Sequence, residues 1–321
     1  MSQKTDIAKT CELLTKSGSL AILTHKNPDG DTLGTAYALW HILGKLGIRS
    51  KVISAKEFPK RYSEIKEYYD LNADEDFTPD AVISVDCAGI SLLPQEAEPY
   101  RDNVLLAIDH HGTHKDFAEY LLLDAGRESC AGVLSGIIDE LGVEWDDYTA
   151  KCLYTGLSTD TGCFRYTNTT AESLELAARL YRYNIDAARL NYLYFEEKSL
   201  SHLELEREAL SEMELYLGGT IALMVLTKDM LARAGAKLND IEGITPIPRQ
   251  IEGVKVGITL RELDSGNWKG SLRTMGRPDA AEICRKLGGG GHPGAAGFEC
   301  SGTLSDIKKL ILAETAAALN S

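Results

Sequence analysis

Apolar positions in the first half of the chain come in short runs separated by amphipathic stretches. Residues 20–24 (LAILT), 51–54 (KVIS), 81–85 (AVISV), 104–108 (VLLAI) and 121–123 (LLL) have the length and composition of buried strands. Between the first two, Leu33, Tyr37, Trp40 and Leu43 recur at helical spacing, so a helix is expected over 32–46, with Gly47 near its end. Residues 148–157 read as another helix, opening into a glycine-containing loop, 158–162 (STDTG). Strands alternating with helices imply an α/β fold with a largely parallel sheet.

The pattern changes over residues 187–217, which are charged and helical with few turn formers, and a helical linker is expected there. Beyond it the alternation resumes. Residues 220–226 (TIALMVL) and 254–263 (VKVGITLREL) are strand-like, and Asp264-Ser-Gly-Asn267 is a turn signal that sends 268–273 back as a hairpin partner. A helix over 279–287, a glycine run and a final amphipathic helix over 304–319 complete a smaller α/β domain. The expected divisions are therefore 1–186, 187–217 and 218–321.

Composition narrows the class. Hydrophobic residues make up 44% and charged residues 26%, ordinary for a globular chain. No apolar run approaches the roughly 20 residues that span a bilayer, and the opening MSQKTDIAKTCELL lacks the pattern of a secretory leader. The seven cysteines include no CxxC pair, which argues against a zinc ribbon or disulfide framework and for reduced thiols in the cytoplasm. The formal net charge of −14 argues against duplex DNA as a partner, since neutralising phosphates drives that binding. It leaves room for a small phosphate ester at a metal site, because bound cations reverse the local field.

Four polar clusters directly follow buried elements: His25-Lys-Asn-Pro-Asp29-Gly-Asp31 after LAILT, Asp86 after AVISV, Asp109-His110-His111 after VLLAI, and Asp160 in STDTG. Ligands of open α/β sheets bind beyond the carboxyl ends of the strands, so these clusters are expected to converge at one edge. His25, Asp29, Asp31, Asp86, His110 and Asp160 offer imidazole and carboxylate ligands for a pair of divalent ions, with one carboxylate bridging. Mixed His/Asp ligation suits Mn²⁺ or Co²⁺ better than Mg²⁺, which prefers oxygen. Without such ions, the packed aspartates would repel one another strongly.

These four clusters resemble the four motifs of the DHH phosphoesterase superfamily, and Gly288-Gly-Gly-Gly-His292-Pro-Gly-Ala-Ala-Gly297 resembles the signature of the associated DHHA1 domain. The pairing, the run STDTGCFRYTNTT and the length are similar to the bacterial group that joins nano-RNase with 3′-phosphoadenosine-5′-phosphate (pAp) phosphatase activity. The resemblance implies an N-terminal DHH domain and a smaller DHHA1 domain. It puts His25, Asp29 and Asp86 on one ion, and Asp31, Asp86, His110 and Asp160 on the other. Asp109 would orient a histidine, His111 would donate to the scissile phosphate, and Asp86 would be the bridge. In the second domain, Arg273, His292 and the backbone of Gly289, Gly290 and Gly291 would hold substrate phosphate. His114 stands where relatives commonly have Asn, and is expected either at the substrate or on the surface. Implied substrates are short oligoribonucleotides, dinucleotides or pAp. A linear or cyclic dinucleotide phosphodiesterase and a single-strand DNA exonuclease stand as alternatives, and the oligomeric state is left open, a homodimer among the expectations.

Overall fold

The computed structural model describes residues 1–66, 77–241 and 243–320, with only the backbone described at Asn239 and His292. The chain forms two compact units, Met1–Glu197 and Lys198–Ser321.

The first unit runs β1 (Gln3–Lys4), α1 (Ile7–Lys16), β2 (Ser19–Leu23), α2 (Gly30–Lys45), β3 (Arg49–Ile53), β4 (Ala81–Val85), β5 (Val104–Asp109), β6 (Tyr120–Leu123), α3 (Cys130–Glu140), α4 (Asp147–Asp160), α5 (Ala171–Leu180) and α6 (Ala187–Asn191). Its six strands lie in the order β1-β6-β5-β4-β2-β3, every neighbour parallel. Strands buried on both faces explain the unbroken apolar runs: all five residues of β2 are buried. The strand order reverses between β2 and β4, since β3 lies outside β2 while β5 and β6 lie beyond β4. This is the switch point at which open α/β sheets leave a crevice. His25 follows β2 and Asp86 follows β4, so the two residues flank it.

Close helix packing brings the remaining parts of the site together. A Cβ on Gly30 would lie 2.3 Å from Thr159 Oγ1, and one on Gly34 would lie 2.4 Å from the Cys152 carbonyl oxygen. A Cβ on Gly156 would sit 2.6 Å from Asp31 Oδ1 and from the Ala131 methyl. Three glycines thus let α2 and α4 meet almost backbone to backbone, which carries Asp31 on α2 and Asp160 at the end of α4 toward one point.

Two helix ends differ from the sequence reading. Helix α2 starts at Gly30 rather than Thr32, because Asp29 is its N-cap and accepts from the N–H groups of Asp31 and Thr32, both at 3.1 Å. Helix α4 continues to Asp160, which is therefore helical and not in a loop; the chain leaves the helix after Thr161, where Gly162 takes φ +56°.

The second unit runs α7 (Leu200–Ser211), β7 (Glu214–Tyr216), β8 (Ile221–Leu226), α8 (Lys228–Ala234), β9 (Val256–Glu262), β10 (Trp268–Thr274), α9 (Ala280–Lys286), β11 (Gly290–His292), β12 (Ala295–Cys300) and α10 (Leu304–Leu319). Its sheet has the order β11-β12-β10-β9-β8-β7, with β8 and β9 parallel and the other pairs antiparallel. Trp268 and Phe298 are buried in its core. Among the described residues, no helix is long and apolar enough to cross a membrane.

Candidate metal centre

Each ligand candidate is aimed by its own backbone. Asp29 spends one carboxylate oxygen on capping α2, and its Oδ2 stands 3.6 Å from His25 Nε2. Asp31 is buried at the start of α3, where its Oδ2 accepts from the Cys130 N–H at 2.6 Å and its Oδ1 from the Ala131 N–H at 2.9 Å. The N-terminus of a helix is a favourable place for that charge. Asp86 ends β4 in the left-handed region, φ +51°, a conformation costly for a residue with a Cβ and typical of functional positions.

Asp86 is 2% exposed, and its two oxygens face different histidines. Oδ2 lies 3.7 Å from His25 Nε2, and Oδ1 lies 3.6 Å from His110 Nε2. His110 Nε2 is also 3.7 Å from Asp31 Oδ2 and 3.7 Å from Asp160 Oδ2. The ligand atoms of His25, Asp29 and Asp86 form one compact group, those of Asp31, His110 and Asp160 a second, and Asp86, His110 and His111 a third that joins them, with His111 Nδ1 3.5 Å from Asp86 Oδ1 but already engaged by Asp109. These spacings are too long for N–H···O bonds, which cluster near 2.9–3.0 Å. They match ligands about 2.1 Å from a shared ion, which at tetrahedral angles lie about 3.4 Å apart.

Three further observations bear on whether this set fits metal. Asp86 Oδ1 and His110 Nε2 are buried without a hydrogen-bond partner among the described residues. His110 Nδ1 is 3.3 Å from the Arg127 carbonyl oxygen, an acceptor that requires the proton on Nδ1, so that in the neutral imidazole Nε2 carries the lone pair a metal ligand needs. Burial and the surrounding aspartates push the Asp86 carboxyl well up and the Asp160 carboxyl to about 8, and burial also raises Asp31. Four carboxylates this close cannot all ionise alone, so the group calls for cations. The donor set fits two divalent ions.

Asp109 has no exposed side-chain surface and serves as an anchor. Its Oδ1 accepts from the N–H groups of His110 at 2.7 Å and His111 at 3.1 Å, and from His111 Nδ1 at 2.8 Å. Its Oδ2 lies 2.6 Å from His114 Nδ1. Burial alone would raise the Asp109 carboxyl, but these two histidines hold it well below the usual carboxylate range. The hydrogen bond to Asp109 in turn raises His111, against the effect of burial. A cavity of about 230 Å³ opens here, walled by His25, Asp29, Asp86, His111 and Asp160, together with Lys26 and Asn27.

His114 departs from both expectations. Its side chain is neither at the surface nor turned to the cavity: it has no exposure, and its ring stacks on Phe117 with centroids 5.3 Å apart. The reason is the second oxygen of Asp109, which a buried carboxylate must satisfy. Lys26 and Asn27, cavity-lining residues inside the first cluster, carried no assignment from the sequence; their position between His25 and Asp29 was the available signal.

The second unit holds the phosphate-contact candidates. Arg273 is half-buried on β10, and its Nη1 donates to the Leu272 carbonyl oxygen at 3.0 Å. The second half of the glycine run, Gly290 and Gly291, lies in strand β11, paired with β12. A Cβ on Gly289 would lie 2.1 Å from the Gly297 carbonyl oxygen, and one on Gly291 would lie 2.6 Å from that of Ala295, so strand packing itself demands those two glycines. Only Gly290 of the three has open space beside it. The side chain of His292 lies outside the described residues.

The chain matches the DHH family, N-terminal domain, over residues 19–157, and the DHHA1 domain over residues 221–318. It is 34% identical over 292 residues to the bifunctional oligoribonuclease and PAP phosphatase NrnA of Thermus thermophilus, covering 89% of this chain and 85% of the relative. The protein belongs to the DHH–DHHA1 phosphoesterase family. The protein of the same name from Bacillus subtilis is 26% identical over 321 residues, 96% of this chain and 98% of the relative. In overall fold the chain resembles an exopolyphosphatase-related protein of Bacteroides fragilis, with a TM-score of 0.87 and 24% identity over 97% of this chain and 95% of that one. The DHH match contains every ligand candidate except Asp160, which lies just beyond its end.

Proposed function

We propose that this chain is a two-metal phosphoesterase that hydrolyses very short oligoribonucleotides to mononucleotides and also removes the 3′-phosphate of pAp. One observation carries the reading: the two oxygens of Asp86 face two separate His/Asp groups, as a bridge between paired ions must. The substrate class is supported by the activities for which the relatives from Thermus thermophilus and Bacillus subtilis are named.

His25, Asp29 and Asp86 would hold one ion, and Asp31, Asp86, His110 and Asp160 the other. Mn²⁺ is the expected metal, because two imidazoles among carboxylates suit it better than Mg²⁺. When bound, such ions polarise phosphoryl oxygens and supply an ionised water as nucleophile near neutral pH. The protein's own part is placement and charge. Asp109 holds His111 through Nδ1 and favours its protonated form, so His111 at the cavity wall is a hydrogen-bond donor to a phosphoryl oxygen. His114 keeps Asp109 in place from behind. Arg273, His292 and the backbone around Gly290 bind phosphate as positioning contacts. The net charge of −14 keeps duplex DNA away, and the reduced cysteines fit a cytoplasmic setting.

The test is to strip the chain of metal and incubate it with a labelled RNA trinucleotide and with pAp. The proposal expects no turnover until Mn²⁺ is restored, then mononucleotides from the first and AMP with phosphate from the second. Release of pyrophosphate or polyphosphate products only, from a panel including those compounds, would contradict it.

A further inference from the structure

The segment from Arg127 to Ala131 backs all three residues of the second ligand group. The Arg127 carbonyl oxygen faces His110 Nδ1, and the Cys130 and Ala131 N–H groups hold the Asp31 carboxylate. The Glu128 carbonyl oxygen accepts from Asn168 Nδ2 at 3.0 Å, and the same amide group donates to the Asp160 carbonyl oxygen at 3.1 Å. In the middle of this segment sits a carboxylate with no role so far. Glu128 is 2% exposed, and its Oε1 is buried without a hydrogen-bond partner among the described residues.

A buried, unsatisfied carboxylate is costly and calls for an explanation. Its neighbours supply one. Burial raises the Glu128 carboxyl, its own backbone N–H and Arg127 oppose that, Asp31 adds to it and His110 lowers it, and Glu128 in turn raises Asp160. Its position is also built: a Cβ on residue 132 would fall 2.3 Å from Glu128 Oε1, so the carboxylate occupies the space that Gly132 leaves open at the first turn of α3. Ser129 caps that turn and fixes the segment, its Oγ accepting from the Gly132 N–H at 3.0 Å.

We propose that Glu128 is a positioning residue for the ion held by Asp31, His110 and Asp160, adding negative charge behind these ligands and offering Oε1 as acceptor to a donor of the hydrated ion. Glu128 is not among the atoms close enough to ligate directly. Its action is therefore through the ligand set, the kind of outer contact whose loss costs about 10- to 100-fold in metal affinity. The inference rests on the two-metal reading.

The experiment is calorimetric titration of Mn²⁺ into metal-free protein for the wild type, Glu128→Gln, Gly132→Ala and, as a control, Glu140→Gln on the exposed side of α3. Glu128→Gln keeps the shape and removes the charge. Gly132→Ala keeps the charge and displaces the carboxylate. Both are expected to weaken one of two Mn²⁺ sites by about 10- to 100-fold, with the other site and Glu140→Gln unchanged. A Glu128→Gln protein that melts cooperatively and binds both ions as the wild type does would overturn the role, since a side chain that merely fills space tolerates an isosteric change. Weakening in Gly132→Ala without weakening in Glu128→Gln would overturn it as well, by assigning the effect to backbone strain. A wild-type chain that binds no divalent ion would overturn the metal centre itself and this proposal with it.

Discussion

Asp86 Oδ1 stands 3.6 Å from His110 Nε2, and neither buried atom has a hydrogen-bond partner among the described residues. The other oxygen of the same carboxylate faces His25 at 3.7 Å. Asp86→Asn keeps the shape but leaves a neutral amide at the meeting point of the two groups. The variant is expected to lose at least one ion in metal analysis and more than about 10³-fold in kcat, beyond what one oriented donor contributes. Wild-type metal content with wild-type turnover would remove Asp86 from the bridge.

His111 has a different assignment from the neighbouring His110. Its Nδ1 is held by Asp109 at 2.8 Å and it walls the cavity. His111→Ala is expected to leave both ions bound and lower kcat by about 10²–10³-fold, as for loss of one donor to the developing charge. His110→Ala is expected to lose an ion. Loss of metal from the His111 variant alone would exchange the two roles.

Charge in the metal-free site gives a pH dependence with a definite sign. Asp160 is raised from 3.8 to about 8, and Asp31 and Asp86 are raised too, so the folded chain binds more protons than the unfolded chain between these limits. Stability of the metal-free protein must then fall as pH rises through that window. The raised His111 acts in the same direction, being lost as pH rises through its folded value. Asp29 and Asp109 are lowered, so their contributions are complete above about 3.8 and fade only in stronger acid. The Tm in a chelator is expected to drop by roughly 4–8 °C from pH 5 to pH 8, and saturating Mn²⁺ should abolish that slope. A metal-free Tm that rises over this range would contradict the electrostatic account.

Much of this site was legible before the structure because its residues follow strands. His25, Asp86 and the Asp109–His111 cluster sit where apolar runs end, and a parallel sheet delivers such ends to one edge. Asp160 follows a helical stretch and not a strand, and its backbone differs from the sequence reading: α4 runs on to Asp160, and Gly162 ends it later than the apolar spacing suggests. The capping role of Asp29 moved the start of α2 in the same way. What could not be read was pairing across distance. Nothing near His114 in the chain says that Asp109 has a second oxygen to satisfy, and nothing near Glu128 says that its carboxylate folds over Gly132. Nor does the glycine run itself say that Gly289 and Gly291 must be glycine because β12 approaches them closely.

The central claim, a two-metal enzyme for very short nucleic acids, is tested most directly by the dependence of rate on substrate length. The chain carries −14 net charge and no long basic track with interleaved aromatics of the kind that holds extended single strands. Initial rates with Mn²⁺ would be measured for end-labelled RNA of two to twenty-four nucleotides at low and high salt. The account predicts that kcat/KM peaks at about two to five nucleotides and falls steeply beyond, with added salt softening the fall by screening repulsion. Equal or faster hydrolysis of the twenty-four-nucleotide strand at low salt would contradict it and favour a long-strand exonuclease.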